Sequence, residues 1–379
     1  MGPMDQVVIL PSINVITHSL GNHKTIYIYD HTTTKYSYQS YPTNPRQKTH
    51  FQGILMRIDC QSHVFPQGYI DVLSQNPVPP NIHQDAGSYL ITYGDIQSFR
   101  LFPEAYSVQQ KLSAMDESKI DISLISTNIP GPCMLVSELS VAGAKAINNF
   151  IAELTQKHPD RLAGLASIPW NLQEEAIREM TRAKVELGFC GAMLYSHING
   201  RSVDDPDFEP IYAHAATLDM PIVLHPTVPT WGEKIMEYSM IPMMGFQVDT
   251  SFALLRLILS GILERNPSLR IVIPHAGGVL PYMMGRIDHQ TEVLGRARDN
   301  ITQPVSMYMK DIYLDTVSPS RQALEYAYEF SGPNRLLFGS DHPWVFPKIF
   351  VDIINKMKIS DLDKEKIYYQ NAKSLFDIG

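Results

Sequence analysis

The sequence predicts an α/β protein in which eight parallel strands, each followed by a helix, close into a barrel. From about Met56 onward, eight short apolar runs, as expected for buried parallel strands, alternate with longer segments of helical periodicity. Eight strand and helix repeats that close on one another form a TIM barrel. A chain of 379 residues is long enough for one large barrel with extensions.

The eight runs are apolar along most of their length, as strands covered on both faces must be. In chain order they are ILMRID at 54–59, DISLIST at 121–127, RLAGLASIP at 161–169, CGAMLYS at 190–196, PIVLHP at 221–226, RIVIPH at 270–275, IYLDTV at 312–317 and RLLFGSD at 335–341. Between them, helical spacing predicts three buried helix faces: Ile147, Ile151 and Leu154; Ala176, Met180, Ala183 and Leu187; and Phe252, Leu255, Leu259 and Ile262.

Two segments stand outside this alternation. Residues 1–55 are rich in Thr, Tyr, Ser, His and Asn, and we interpret them as an N-terminal extension in which IYIYD at 26–30 forms a short strand or hairpin arm. The barrel is assigned to residues 56–379. The stretch from Phe65 to Tyr106, with PVPPN and several glycines, is predicted to be an insertion after the first strand, lying over the barrel mouth as a candidate lid.

The composition excludes several classes of protein. Hydrophobic residues make up 44% and charged residues 18%, so the chain can bury a sizeable core as a soluble globular protein. A net charge of -8 without a basic run argues against nucleic acid as a partner. The longest strongly apolar stretch, Phe252 to Leu263, is interrupted by Arg256 and is shorter than the roughly 20 residues that cross a bilayer. No membrane span is therefore expected.

The cysteines and the N-terminus indicate a cytoplasmic protein. Cys60, Cys133 and Cys190 are an odd number without a CxxC pair, which argues against a disulfide framework and against a thiolate zinc site. The first residues, MGPMDQVVILPSINVITHSLG, lack a basic region and an uninterrupted apolar core of signal-peptide type.

Residues suited to metal binding stand where four predicted strands end, and barrel active sites lie at that end. They are Gln61 and His63 in IDCQSH, His225 in VLHP, His275 in PHAGG and Asp341 in GSDHP. A lone His is more commonly a hydrogen-bonded structural residue, but two imidazoles and a carboxylate at one barrel mouth suit a divalent ion such as Zn²⁺. A further His beside the metal is suited to act as a general acid or base.

These motifs, together with others along the chain, identify a known family. The start MRIDCQSHVFP stands where that family has IDxHxHxxP, and FR at 99–100, GFCGAMLYSHINGRSVDDPDFEPIY, PIVLHP, LILSGILERNPSLRIVIPHAGGVLPYMMGRID, LLFGSDHPW and NAKSLF follow in order. From Met56 to its C-terminus the chain resembles the amidohydrolase superfamily, in particular the branch that contains aminocarboxymuconate semialdehyde decarboxylase.

The resemblance implies roles for individual residues. It implies that His63, His225 and Asp341 bind the metal and that His275, with Asp341, carries out catalysis as the acid/base group. It also implies that Arg100 and Arg286 bind substrate carboxylates, and guanidinium groups are well suited to bidentate carboxylate binding. The alternative interpretation of each arginine is an exposed ion pair.

Assembly is implied by the resemblance as well. Decarboxylases of this branch are homodimers, in which the arginine that corresponds to Arg286 reaches the neighbouring subunit's pocket.

One position departs from the family pattern. Gln61 stands where the family has the first His of HxH, and its neutral amide is a poorer zinc ligand than imidazole. Asp59 is the nearby alternative oxygen donor, either as a ligand or as a carboxylate behind the ligands. The pattern thus leaves three possibilities open: weak metal binding with Gln61 a weak or absent ligand, preference for Mn²⁺ or another ion over zinc, and a metal-free site.

Three further residues are assigned to the pocket. His197 follows the fourth strand at the end where it can contact substrate, and Trp344 is interpreted as part of the substrate-binding wall. His342 is expected to point away from the metal and to lie on the pocket rim.

Three functions are compatible with these residues. The first is a metal-dependent decarboxylase of a small unsaturated or aromatic carboxylic acid, in which His275 handles the proton that replaces CO₂. The second is a hydrolase or hydratase that uses activated water on the same barrel. The third, a non-catalytic binding protein with a decayed site, ranks last because His63, His225, His275 and Asp341 are all present.

Overall fold

The computed structural model describes residues 13–20, 23–30 and 56–378, in units that span Met1–Ile54 and Leu55–Gly379. In the first unit, strands β1 (Ile13–Leu20) and β2 (His23–Asp30) pair antiparallel as a hairpin. The predicted strand at 26–30 lies within β2. The rest of the extension predicted for residues 1–55 lies outside the described residues.

The described residues of the second unit, 56–378, form thirteen further strands. In chain order they are β3 (Ile58–Val64), β4 (Asn81–Asp85), β5 (Ser88–Tyr93), β6 (Gln97–Leu101), β7 (Ile122–Thr127), β8 (Leu162–Ala166), β9 (Gly191–Tyr195), β10 (His197–Ile198), β11 (Arg201–Ser202), β12 (Ile222–His225), β13 (Ile271–Ile273), β14 (Tyr313–Asp315) and β15 (Leu336–Leu337). Eight of them, β3, β7, β8, β9, β12, β13, β14 and β15, pair in parallel in that order.

The sheet closes between its first and last strands, and this confirms the predicted barrel. The amide of Cys60 donates to the carbonyl of Phe338 at 2.9 Å, and that of Asp341 donates to the carbonyl of Gln61 at 2.8 Å. A third bond joins the His63 amide to the His342 carbonyl at 2.7 Å. We call this junction between residues 58–63 and residues 338–342 the seam. It joins two chain segments that carry candidate site residues.

The barrel strands are buried on both faces, which is why apolar runs predict them well. The bounds predicted for the first strand were wrong, because it occupies Ile58–Val64 rather than 54–59. Every residue of this strand is buried, although Asp59, Gln61, Ser62 and His63 are polar. Because these residues are polar, the hydropathy pattern did not predict the C-terminal half of this strand.

Helices cover the barrel. They are α1 (Gln67–Leu73), α2 (Val108–Ser118), α3 (Ser137–Lys157), α4 (Gln173–Val185), α5 (Glu209–Thr217), α6 (Phe246–Leu259), α7 (Ile262–Arg265), α8 (Leu280–Asp288), α9 (Val305–Met309), α10 (Arg321–Ser331), α11 (Lys348–Lys356), α12 (Asp361–Glu365) and α13 (Asn371–Phe376). Among these described helices, none is long and apolar enough to cross a membrane.

The helix faces were predicted with mixed success. Helix α3 buries Ile147, Ile151 and Leu154 as expected. Helix α6 instead buries Ala253, Leu254, Leu257 and Ile258, and Phe252 is 53% exposed. Of the predicted face, Ile262 is buried and Leu255 and Leu259 are partly buried against the core, so the prediction failed at Phe252.

The insertion after β3 forms a three-stranded antiparallel sheet of β4, β5 and β6. Its Ile96 side chain lies so close to Gly232 that a Cβ atom there would be 2.8 Å from Ile96 Cγ2. Its Phe99 ring lies 6.1 Å from the Trp344 ring, edge to face. Because these partners lie in loops after β12 and β15, the insertion covers part of the barrel mouth, as predicted.

Candidate active site

Three of the candidate ligands come together at the C-terminal end of the barrel. His63 lies near the end of β3, His225 is the last residue of β12, and Asp341 follows β15. One potential ligand atom from each lies within 4.8 Å of the others. His63 Nε2 is 2.9 Å from Asp341 Oδ1, and the rings of His63 and His225 are 4.9 Å apart. Two imidazoles and a carboxylate in this arrangement can hold a divalent cation.

Hydrogen bonds behind the imidazoles orient them. His225 Nδ1 lies 2.8 Å from the carbonyl oxygen of Pro226, which can only accept, so this nitrogen carries the proton and Nε2 is free to bind a metal. His63 Nδ1 lies 3.1 Å from Ser126 Oγ, which leaves Nε2 directed at Asp341.

Burial keeps these imidazoles neutral. Desolvation, with a smaller contribution from the Lys111 charge, lowers the pKa of His63 to about 3. Desolvation and the neighbouring His63 lower the pKa of His225 to about 4. Since a metal binds only the unprotonated imidazole, both side chains are ready to act as ligands at neutral pH.

Gln61 adjoins the three ligands and fits a cation site. Its Nε2 lies 3.4 Å from Asp341 Oδ1, and its buried Oε1 has no hydrogen-bond partner among the described residues. A buried amide oxygen without a partner costs about 1–3 kcal/mol. If the Gln61 side-chain amide flipped, a cation held by His63, His225 and Asp341 would give Oε1 a partner.

Asp59 is not part of this cluster. Its carboxylate accepts bonds from the Ser340 amide at 2.9 Å and from Ser340 Oγ at 2.6 Å. It also accepts a bond of 3.2 Å from the backbone N–H group of Gln61. Asp59 therefore ties the two sides of the seam together behind the ligands.

His275 lies in the turn after β13 with its Nδ1 buried and unpartnered among the described residues. Its φ is 56°, and that of Ala276 is also 56°, a left-handed conformation that costs non-glycine residues on the order of 1–3 kcal/mol. Desolvation lowers the pKa of His275 to about 4, and the charge of Asp341 opposes this shift. His275 is thus a neutral imidazole beside Asp341, free to take part in proton transfer.

Asp315, the last residue of β14, supports this turn and was missed in the sequence. Its Oδ1 accepts from the amide of Ala276 at 3.3 Å and from that of Val317 at 2.9 Å. Burial raises the pKa of Asp315 to about 7. The rule that selected Asp341, a carboxylate at a strand end, would have found it in IYLDTV.

Lys111 on α2 was also missed. It is fully buried, its Nζ donates to Ser62 Oγ, and it lies 3.2 Å from His342 Nδ1. His342 therefore points away from the metal ligands as expected. Its predicted place on the pocket rim is wrong, because it is buried against Lys111.

The remaining predicted residues are held by contacts with residues outside the ligand cluster. Arg100 pairs with Asp85 at 2.6 Å and is 47% exposed. His197 uses both ring nitrogens locally, because Nε2 lies 2.8 Å from the Val228 carbonyl and Nδ1 accepts from the Gly200 amide at 3.0 Å. The substrate-binding roles assigned to Arg100 and His197 stay predictions.

Two other predicted residues lie on the surface. Trp344 is 48% exposed where it meets the insertion sheet. Arg286 is exposed on α8 and forms no ion pair with another residue of the described chain.

Aromatic side chains follow the first two barrel strands at the mouth. Phe65 directly follows β3, and its ring lies 6.0 Å from that of Tyr106, edge to face. The Tyr106 hydroxyl accepts a hydrogen bond of 2.9 Å from Asn128, which directly follows β7. Phe99 and Trp344 form a second edge-to-face pair, and flat apolar rings of this kind suit a planar ligand.

Comparison with known proteins gives consistent matches along the barrel. Residues 58–378 match the family model described as amidohydrolase. The chain is 30% identical over 329 residues to gamma-resorcylate decarboxylase of Rhodococcus jostii (strain RHA1), covering 82% of this chain and 99% of that protein. It is 27% identical over 333 residues to 2-amino-3-carboxymuconate-6-semialdehyde decarboxylase of Dictyostelium discoideum, covering 84% of this chain and 90% of that protein.

A solved structure shares the fold. Dihydroxybenzoic acid decarboxylase from Polaromonas sp. JS666, crystallised with manganese and the inhibitor 2-nitroresorcinol, superposes with a TM-score of 0.72. The two chains are 26% identical, and the match covers 85% of this chain and 97% of that one.

Proposed function

Because this chain belongs to the amidohydrolase family, we propose that it is a divalent-metal-dependent decarboxylase of a small aromatic carboxylic acid. The observation that carries this proposal is the cluster of His63, His225 and Asp341, with the unpartnered His275 beside it. The relatives named above are decarboxylases, which favours release of CO₂ over the alternative of hydrolysis or hydration.

The metal would be held by His63, His225 and Asp341. When bound, it would supply Lewis-acid chemistry toward the substrate carboxylate and a neighbouring oxygen. Zinc was the first expectation, but a carboxamide beside two imidazoles and a carboxylate favours an ion that accepts oxygen ligands more readily, such as Mn²⁺. The manganese in the Polaromonas structure supports this choice.

His275 has the proton-transfer role. At neutral pH it is unprotonated at one nitrogen, so it can take up a proton from solvent and deliver it to the ring carbon that bears the carboxylate. The bond from that carbon to the carboxylate then breaks, its electron pair returns to the ring, and CO₂ leaves. The proton ends on the carbon in place of the carboxylate, so atoms and charge balance.

We also propose that the enzyme is a homodimer. Helices α6 and α8 are neighbours, since Ser251 Oγ accepts a bond of 2.9 Å from the Val279 amide just before α8. Both helices expose large aromatic residues, Phe252 and the 83% exposed Tyr282. Exposed apolar surface of this kind is typical of protein interfaces. Arg286 lies one turn after Tyr282, where it can reach across such an interface to a carboxylate in the partner's pocket.

A cytoplasmic location completes the proposal. The thiols of Cys60, Cys133 and Cys190 are buried and unbridged, as expected in a reducing compartment.

The test is CO₂ release by the full chain loaded with Mn²⁺, assayed on hydroxybenzoates such as gamma-resorcylate. A parallel panel of lactones and amides, scored by acid release, tests the hydrolase alternative. We expect turnover of at least one ortho-hydroxylated benzoate and loss of it after metal removal. Full activity in a strong chelator, from protein without stoichiometric metal, would show that the metal-dependent mechanism is wrong.

A further inference from the structure

A lysine is buried directly behind the candidate metal ligands. Lys111 on α2 is 1% exposed, donates through Nζ to Ser62 Oγ, and lies 3.2 Å from His342 Nδ1. Both partners are themselves buried. Lysine is among the side chains least often buried, and an apolar residue would pack α2 against the barrel without the cost of removing a charge from water.

The two partners of Lys111 adjoin the two ligands that meet at the seam. Ser62 directly precedes His63, and His342 directly follows Asp341. The backbones of Ser62 and His342 form a parallel bridge, so the ammonium group contacts both sides of the seam at the level of the ligands. His63 Nε2 and Asp341 Oδ1 lie 2.9 Å apart on the pocket side of the same backbone segments.

The seam is held at this level by backbone hydrogen bonds and by side chains rather than by regular strand pairing. Strand β15 ends at Leu337, so Asp341 and His342 lie beyond its pairing with β14. Asp341 also has φ of 61°, an unfavourable backbone conformation that its surroundings must hold in place. Side chains supplement the few backbone bonds: Asp59 bonds to Ser340, and Lys111 bonds to Ser62 and His342.

Lys111 and Asp59 share this buried region. Burial lowers the pKa of Lys111 to about 7, and the charge of the nearby Asp59 carboxylate opposes this shift. A lysine ammonium has three N–H groups and can bond several acceptors at once, which suits it to join two chain segments.

We propose that Lys111 is a positioning residue for the metal centre. By bonding to Ser62 and His342 across the seam, it fixes the separation of His63 and Asp341 and so raises affinity for the divalent ion. The inference rests on the proposed function, because it concerns the metal of that site.

The experiment measures the Mn²⁺ dissociation constant by competition with a chromophoric chelator. The proteins are wild type, K111M, K111R and S62A, each stripped of metal and checked for folding by circular dichroism. Outer partners of metal ligands typically contribute a factor of about 10 to 100 in affinity. We therefore expect K111M to bind Mn²⁺ at least roughly tenfold more weakly, S62A to lie between, and K111R to recover part of the loss.

A matched control separates positioning from general stability. Asn148 on α3 is fully buried and bonds to Ser167 and Glu179, away from the seam, so N148A also leaves buried polar groups unpaired. N148A should lower the thermal midpoint of the metal-free protein and leave the Mn²⁺ dissociation constant unchanged. If N148A weakens Mn²⁺ binding as much as K111M, the positioning role is overturned.

The remaining outcomes also decide. Equal Mn²⁺ affinity in wild type and K111M overturns the inference and leaves the proposed function intact. If K111M does not fold, S62A decides, because it removes one hydroxyl: unchanged affinity in S62A overturns the inference. A wild type that binds no Mn²⁺ overturns the proposed function and this inference with it.

Discussion

At the scale of single residues, the position of His275 makes it the most specific target. His275 is half-buried near Asp341, and its buried Nδ1 has no partner among the described residues, so its removal breaks no hydrogen bond of that atom within this part of the chain. We expect H275A to lower kcat by a factor of about 10² to 10⁴, the usual contribution of a general acid or base. Steady-state CO₂ release measures this.

The same variant has a clear control. Metal content and far-ultraviolet circular dichroism should match wild type, because His63, His225 and Asp341 do not need His275 to hold a cation. Unchanged kcat in H275A would remove His275 from the mechanism.

Gln61 supports a second prediction. Replacing its neutral amide with imidazole adds a ligand that zinc prefers, so Q61H should carry more zinc than wild type after purification without chelator. Elemental analysis measures zinc and manganese per chain. D341N is the reference that should lose metal of either kind, and equal zinc in Q61H and wild type would contradict the role given to Gln61.

Part of the site could be predicted from local sequence, and part could not. His63, His225, His275 and Asp341 each stand at a strand end, and parallel strands of a barrel bring those ends together. The bond between Lys111 and His342 joins residues 231 positions apart, on a helix and on the segment after the last strand. No local pattern encodes such a contact, so the partners of the ligands could not be predicted.

At the scale of elements, strands with two buried faces were predictable and polar or amphipathic elements were less so. Strands β9 and β12 lie inside their predicted ranges because every residue in them is buried. Strand β3 carries four polar residues, and its burial depends on tertiary hydrogen bonds that hydropathy does not register. The sheet of β4 to β6 was interpreted only as an insertion, since it pairs with itself outside the barrel alternation.

The end of β14 supports a prediction on stability and pH. Burial raises the pKa of Asp315 from 3.8 to about 7, so between these values the folded protein holds a proton that the unfolded chain has lost. The bound proton on Asp315 contributes fully to the free energy of unfolding below about pH 4. This contribution falls by about 1.4 kcal/mol per pH unit as pH rises, and it is lost once pH has passed about 7. In the variant D315N, the Asn side chain keeps an oxygen that can accept from the backbone N–H groups of Ala276 and Val317, and it cannot ionise.

The measurement is the free energy of unfolding of metal-free wild type and D315N at pH 5 and pH 7. Relative to wild type, D315N should gain roughly 1 to 3 kcal/mol on going from the lower to the higher pH. Other groups that titrate in this range act equally in both proteins and cancel in the difference. The exposed Asp311 gives the control variant D311N, and a D315N difference that does not vary with pH would contradict the prediction.

At the scale of the whole molecule, the proposed dimer explains two features that the single barrel leaves open. Phe252 and Tyr282 are exposed on adjacent helices, although burial of such rings is favourable by about 25 cal/mol per Å². Arg286 is exposed on the same helix as Tyr282 and forms no ion pair with another described residue of its own chain. A two-fold interface would cover the rings and bring each arginine to the partner's pocket.

Dilution below the dimer dissociation constant should then reduce activity. A fully active monomer in sedimentation experiments would refute the dimer.

Mixing two inactive variants tests the arginine directly. If Arg286 acts in the partner's pocket, a hybrid dimer of H275A and R286A has one site with both residues intact and one with neither. Equal mixing after dissociation gives about half hybrids, and one site in two is active in each, so activity should return to about a quarter of wild type. If Arg286 acts in its own subunit, every site of the hybrid lacks one of the two residues and no activity returns. The activity of the remixed variants, measured as CO₂ release, therefore decides whether the active site is shared between two chains.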